Sequence, residues 1–268
     1  MPRKRIEKRK NLRILAIGDV TSPAGIEHLS LKLWKFRENN NIDLCVVNGE
    51  NASFVTGISS SLAEKLLLAG ADCITGGNHT MHNKQIYTFL DECDGIVRPI
   101  NFGDSAPGKG YTIVDAKGYR VLVINAMGNV HIEPNLDSPF PYIDRLLSDM
   151  EGRYDLAVLD IHAEATGEKL AVGYAYDGRI SVVFGTHTHV QTADAQILPN
   201  GTGYITDVGM CGESGGIIGM DAETVVMRMR SHLPHKFIAA GGAPVADGAI
   251  FTVDEKTKKT TAVELVKI

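Results

Sequence analysis

A layered α/β fold is what this sequence predicts, and three observations predict it. Short, β-branched apolar runs recur along the chain, segments with helical periodicity separate several of them, and each of these runs ends in Gly, Asp, Asn, Glu or His. In such folds ligands gather at the carboxyl ends of strands, which is where these polar residues fall. The composition agrees. The chain has 268 residues, 44% of them apolar and 22% charged, with 28 Gly and 10 Pro. That is the balance of a globular protein able to bury a large core, not of a disordered, fibrous or coiled-coil one.

Taken in order, the first ten residues hold six Lys or Arg and one Glu, and residues 1–11 read as a basic, solvated tail. No repeat, low-complexity block or long Pro/Ser linker divides the rest of the chain, so 12–268 is expected to be one domain. Buried strands are expected at Ile14–Asp19, Leu44–Asn51, Cys73–His79, Val121–Asn125, Leu156–His162 and Ile180–His189, each a continuous apolar run closed by polar residues. Helices are expected at Ile26–Arg37, at Ser60–Leu68 behind a serine-rich cap, at Lys84–Glu92 and at Pro141–Met150. Gly203–Asp207, Ala249–Val253 and Ala262–Val266 would complete a second sheet or its edge.

Charge and cysteine usage exclude several functions. The net charge is −5, but beyond residue 10 the chain carries 21 cationic against 31 acidic side chains, a net −10. An acidic body argues against non-specific duplex binding, which depends on Lys and Arg neutralising phosphates. Any phosphate chemistry must draw positive charge from elsewhere. The longest apolar runs, such as Val121–Ile124 and Leu156–Leu159, fall far short of the roughly 20 residues that span a bilayer. The N-terminus lacks the apolar stretch of a secretion signal, and Cys45, Cys73, Cys93 and Cys211 form no CxxC pair. A reduced, cytoplasmic location without membrane contact is expected.

The strand ends supply Asp19, Glu50, Asn51, Asn78, His79, His162, His187 and His189, all oxygen or imidazole donors. Singly, a His or Asp at a strand end serves a turn or a core. His187-Thr-His189 and Gly76-Gly-Asn-His79 each have a plain structural reading too. Six strand ends with one kind of donor point instead to borderline divalent metals such as Mn, Fe or Zn. The donors outnumber what one ion uses, so two ions sharing a carboxylate are expected. His28, His82, His131, His232 and His235 have no partner pattern and read as surface or structural, although His82 lies one helical turn past His79. The glycine-rich run Gly209–Gly219 lacks the Lys-Ser/Thr of a P-loop and the GxGxxG spacing. It reads as a loop near the site or, with Ala239–Ala243, as a subunit contact.

Ile17-Gly-Asp-Val20, Val47-Asn-Gly-Glu-Asn-Ala52, Gly77-Asn-His-Thr80, Asp160 to Lys169, Asp177-Gly-Arg, Gly185-Thr-His-Thr-His to Asp194, and Tyr204 to Met210 resemble the signature segments of the calcineurin-like metallophosphoesterases. Within that superfamily they are most similar to the YmdB-like phosphodiesterases. The resemblance runs over residues 13–268. It implies a four-layer α/β/β/α sandwich and two divalent ions per chain. Glu50 would bridge the ions, with Asp19, Asn51 and His189 on the first and Asn78, His162 and His187 on the second. His79 would be the general acid, a small-molecule phosphodiester such as cAMP the substrate, and the chain a homo-oligomer. Two departures stand out. Thr21-Ser-Pro-Ala-Gly-Ile-Glu27 replaces a Val-Gly run and its following Arg, removing an expected basic residue. Met81-His82 replaces Trp-Asp.

The chemistry this implies is hydrolysis at phosphorus by water that two cations acidify, the leaving alkoxide taking a proton from an imidazole outside the metal shell. A phosphomonoesterase or an RNA nuclease would use the same metal core. A metal-binding regulatory protein acting through a partner is the reading of a different class. A zinc amidohydrolase fits poorly, because its His-x-His sits on the first strand and the pair here follows residue 180.

Overall fold

The computed structural model describes residues 10–53 and 56–268, so all but two residues of the expected basic tail lie outside the described residues. Two sheets are stacked between two layers of helices. The first has the order β2 (Asp19–Val20), β11 (Met210–Glu213), β12 (Pro244–Asp254), β1 (Asn11–Ile17), β3 (Leu44–Asn48), β4 (Cys73–Thr75), with β13 (Thr260–Lys267) paired to β12. The second has the order β5 (Tyr111–Ala116), β6 (Tyr119–Met127), β7 (Leu156–His162), β8 (Val182–Thr186), β10 (Gly203–Ile205), β9 (Gln196–Ile197). Helices α1 (Pro23–Asn40) and α2 (Ser60–Ala69) cover the first sheet; α4 (Phe140–Asp149) and α5 (Thr166–Ala175) cover the second. The short α3 (Tyr87–Glu92) and α6 (Ala222–Ser231) complete the described helices.

The apolar runs are continuous because both faces of each central strand are buried. On β1, Leu15 and Ile17 pack toward Leu29, Leu33 and Leu66 of the helices, while Leu12, Ile14 and Ala16 pack against Val123, Val158 and Phe184 of the second sheet. On β6 and β7, Leu122, Ile124, Ala157 and Leu159 face Ile143, Leu147 and Val172 of α4 and α5. Parallel pairing of β1 with β3, β3 with β4, β6 with β7 and β7 with β8 aligns their carboxyl ends along one edge of each sheet. Burial pushes the Cys45, Cys73 and Cys211 thiols above their ordinary range, and all four cysteines are free.

The structure corrects several expectations. Residues 249–253 belong to β12, which pairs antiparallel with β1 inside the first sheet, and 262–266 flank it in β13. Only 203–205 joins the second. Helix α1 begins at Pro23 because Ser22 caps it, its hydroxyl accepting from Gly25 N, and proline suits the first helical position. The departing segment Thr21–Glu27 is thus a helix start. Helix α5 was hidden by Gly167 and Gly173; a Cβ on Gly173 would lie 2.8 Å from the Tyr204 ring, so glycine there is a packing requirement. Among the described residues no helix is long and apolar enough to cross a membrane.

Candidate active site

The eight donors read from the sequence come together at the seam between the sheets. Asp19 follows β1, Glu50 and Asn51 follow β3, and Asn78 and His79 follow β4. His162 ends β7, and His187 and His189 follow β8. Behind them Asp160 ties the layers together. It accepts hydrogen bonds from Asn48 and Thr75 of the first sheet and from Thr186 of the second. Burial first of all raises its pKa, to about 6.

Three imidazoles have one ring nitrogen committed to an acceptor, which leaves the other bare. Thr186 donates its hydroxyl to Asp160 (2.8 Å), so it accepts from His162 Nδ1 (2.8 Å). The Ile218 carbonyl accepts from His189 Nδ1 (3.1 Å). Glu164 Oε2 lies 3.1 Å from His187 Nε2. Such outer partners fix the tautomer of a metal-ligating histidine.

The free atoms converge. His162 Nε2 lies 2.9 Å from Asn78 Oδ1, 3.1 Å from His187 Nδ1 and 3.3 Å from Glu50 Oε1. His189 Nε2 lies 3.6 Å from Asp19 Oδ1 and 3.5 Å from Asn51 Nδ2. Buried Asp19 Oδ1 has no hydrogen-bond partner, although its twin Oδ2 accepts from His187 N (3.0 Å). Apart from the Asn51 amide, these crowded atoms offer mostly lone pairs, an arrangement suited to a cation, and the O/N donor set suits a borderline divalent metal. Glu50, His162 and His187 alone place three ligand atoms within 4.8 Å of one another. Glu50 Oε1 touches both groups, lying 2.9 Å from Asn51 Nδ2 as well as 3.3 Å from His162 Nε2. The cradle tolerates no side chain at Gly77, where a Cβ would stand 2.2 Å from Glu50 Oε2 and 2.4 Å from His162 Nε2.

Electrostatics repeat the pattern. Burial opposes charge on His189, yet Asp19 beside it lifts its pKa to about 9. Burial and then the neighbouring His162 push His187 down to about 3. Burial would raise the pKa of Glu50, but His162 and His79 hold it well below the ordinary carboxylate range. His79 sits at the rim. Its Nδ1 lies 2.8 Å from Asn51 Oδ1 and 3.3 Å from Glu50 Oε1, and its backbone N donates to Glu50 Oε2 (3.0 Å). The His82 ring lies 5.0 Å from that of His79, tilted by 50°.

Residues missed by sequence reading hold the His187-Thr188-His189 turn. Both histidines have left-handed backbones, φ 103° and 63°, a conformation costly for non-glycine residues. Asp207 Oδ2 accepts from Thr188 N (3.0 Å), Thr188 Oγ1 (2.8 Å) and Lys169 Nζ (2.9 Å). Lys169 is fully buried and also donates to the Thr186 carbonyl (2.7 Å). Ile218, at φ 47°, is likewise held in the left-handed region where its carbonyl meets His189. No spacing pattern links Lys169 to Asp207. The available signal was a lysine on an otherwise apolar helix face.

The donors open into a cavity of about 890 Å³ whose opposite wall comes from residues 217–237. The glycine-rich run 209–219 therefore does lie beside the site. Its close approach is within the chain, since a Cβ on Gly215 would stand 2.2 Å from the Gly241 carbonyl. The expectation that the glycines of 209–219 and 239–243 serve a subunit contact loses that support. His232 is exposed, as expected, and lines the cavity, as does Arg228. A basic residue thus reaches the site from α6 instead of from the first motif. His28 is structural, bonded to the Ile268 carbonyl at 2.7 Å.

Comparison with known proteins extends these observations to the whole chain. A family model described as YmdB-like protein matches residues 15–266. The 2',3'-cyclic-nucleotide 2'-phosphodiesterase of Bacillus subtilis (strain 168) is 44% identical over 257 residues, covering 96% of this chain and 97% of that protein. A hypothetical protein from Thermus thermophilus superposes with a TM-score of 0.89 at 38% identity, over 96% of this chain and 99% of that one. A phosphatase from Mycoplasma pneumoniae superposes with a TM-score of 0.89 at 32% identity, over 96% and 93%. The family match over residues 15–266 and the similarity to these relatives in sequence and fold settle its membership: this protein belongs to the YmdB-like family, within the calcineurin-like metallophosphoesterases.

Proposed function

We propose that this phosphoester hydrolase is a two-metal phosphodiesterase of cyclic nucleotides, with 2',3'-cyclic nucleotides as its class of substrate. The observation that carries the reading is the convergence of bare imidazole nitrogens and carboxylate oxygens around Glu50, open to a cavity. Glu50 is assigned as the shared ligand, Asp19, Asn51 and His189 as ligands of one ion, and Asn78, His162 and His187 as ligands of the other. Fe, Mn or Zn held there would supply Lewis acidity toward the phosphoryl oxygens and acidify water near neutral pH. The ring size rests on the named activity of the Bacillus relative. 3',5'-cAMP, the ordinary form of the cAMP that the family resemblance implies, and a phosphomonoester are the comparisons that test it. A single domain over 12–268 and a homo-oligomer complete the reading; RNA enters it only as a source of such nucleotides.

The chain's own part in the reaction is proton delivery. His79 Nδ1 is anchored to Asn51 Oδ1, so it is the imidazolium form that carries a second proton, on Nε2, for a departing alkoxide, and positioned general acids contribute about 10²–10⁴-fold. With Mn or Fe restored, the enzyme should contain two ions per chain and hydrolyse 2',3'-cAMP in preference to 3',5'-cAMP and to a phosphomonoester. One ion or fewer, or preference for the monoester, overturns the reading.

His79→Ala should keep its metals and lose about 10²–10⁴-fold on the cyclic nucleotide. Its activity on a nitrophenyl diester should fall far less, because nitrophenolate departs without a proton. Equal loss on both substrates, or loss of metal, would refute the assignment. A leaving-group dependence found in His82→Ala instead would move the role to its neighbour.

A further inference from the structure

The cavity holds more than the proposed reaction needs. About 890 Å³ lies toward the upper end for small-ligand sites, and a cyclic phosphate with its ribose held at the histidines would fill only part of it. The far wall is apolar, with Ile218, Met229, Leu233 and Phe237 among its residues, except for Arg228 and His232. Among the described residues that line it, Arg228 is the only Lys or Arg. Its guanidinium carbon stands 4.5 Å from the centroid of the Phe237 ring, and among the described residues its side chain makes no hydrogen bond or ion pair. A planar fork of five donors, steadied by an aromatic face and left without an acceptor, is suited to bidentate capture of phosphate. In a chain whose body carries net negative charge, such a local cation is what would retain a second phosphate.

We propose that Arg228 is a specificity-determining residue that receives a second phosphate, on the 5' side of the cyclic nucleotide, so that 5'-phosphorylated 2',3'-cyclic ends are preferred over 2',3'-cyclic mononucleosides. This rests on the function proposed above. The apolar residues around Phe237 would cover the nucleoside between the two phosphates. Two sources present this chemistry: a mononucleotide carrying a 5'-phosphate, and the cyclic end of an oligoribonucleotide whose adjoining phosphodiester lies in the same place.

The test compares adenosine 2',3'-cyclic phosphate, its 5'-phosphorylated form and the dinucleotide ApA ending in a 2',3'-cyclic phosphate, with metal-loaded wild type, Arg228→Ala and Arg228→Lys. In wild type, kcat/KM for the two substrates with a second phosphate should exceed that for the first by about tenfold or more, the effect of one charge-assisted contact, and KM should carry most of it. Arg228→Ala should bring the ratio close to one, and Arg228→Lys should restore part of it. A merely structural role would lower all three substrates alike and leave the ratio in place. Preference for the dinucleotide alone would assign the effect to a second base and overturn the proposal, as would no preference in wild type or a ratio unchanged in Arg228→Ala.

Should no cyclic nucleotide be turned over, the proposed function fails. Arg228 is then read separately by binding of adenosine 3',5'-bisphosphate against adenosine 3'-monophosphate. The bisphosphate should bind about tenfold tighter to wild type and not to Arg228→Ala; equal affinities in wild type would refute the second phosphate site.

Discussion

Glu50→Gln is expected to lose about three orders of magnitude or more in turnover, the scale set by several kcal/mol of lost electrostatic stabilisation, and to hold fewer than two metals per chain. The change is nearly isosteric, so its effect is electrical. Glu50 Oε1 accepts from Asn51 Nδ2 at 2.9 Å, and Oε2 accepts from the His79 backbone N at 3.0 Å. An amide can satisfy only one of these, because its NH₂ meets another donor at the second position. It also removes the charge that faces His162 Nε2 at 3.3 Å. Elemental analysis alongside steady-state rates checks both effects. Near-normal turnover with two ions retained would show that another group bridges them.

Lys169→Met should damage the same site without touching it. Removing one partner of a buried ion pair typically costs about 3–5 kcal/mol, and Asp207 would be left fully buried with its charge uncompensated. For a chain of this size that corresponds to a fall in Tm of roughly 10 °C. The damage should extend to metal retention, since Asp207 also holds Thr188 between the two left-handed histidines. Thermal melts with and without added Mn, together with metal titration below the new Tm, separate the two effects. An unchanged melt and unchanged metal content would show that the His187–His189 turn is held by other contacts.

The positions of the candidate donors were legible because they sit at strand ends and strands announce themselves as apolar runs. Asp19, Glu50, Asn78 and His162 could be placed from that alone, and their convergence needed only parallel strands. What could not be read depends on pairings distant in sequence. β12 reads as an isolated apolar stretch, and only its register with β1 puts it inside the first sheet. Lys169 and Asp207 are separated by 38 residues and lie on different elements. His187 and His189 reach the site through backbone angles that no side-chain pattern encodes; a strand would have held them extended. Arg228 escaped notice because α6 buries little besides Val225, so its periodicity is weak.

The pairing of β1 with β12 also sets the order in which this protein can mature. Asn11 lies opposite Asp254 and Ile17 opposite Gly248, so β1 waits for a strand made much later in the same chain. Contacts this remote in sequence are slow to form, and until they do the partly made chain shows an unprotected strand edge. The second sheet has no such debt, because β5 through β10 are contiguous in sequence. It can assemble while synthesis continues, carrying His162 and His187 in place. The first sheet, which carries Asp19 and Glu50, is complete only when β12 docks between β11 and β1, so the framework of the candidate site is finished together with the longest-range strand pairing among the described residues.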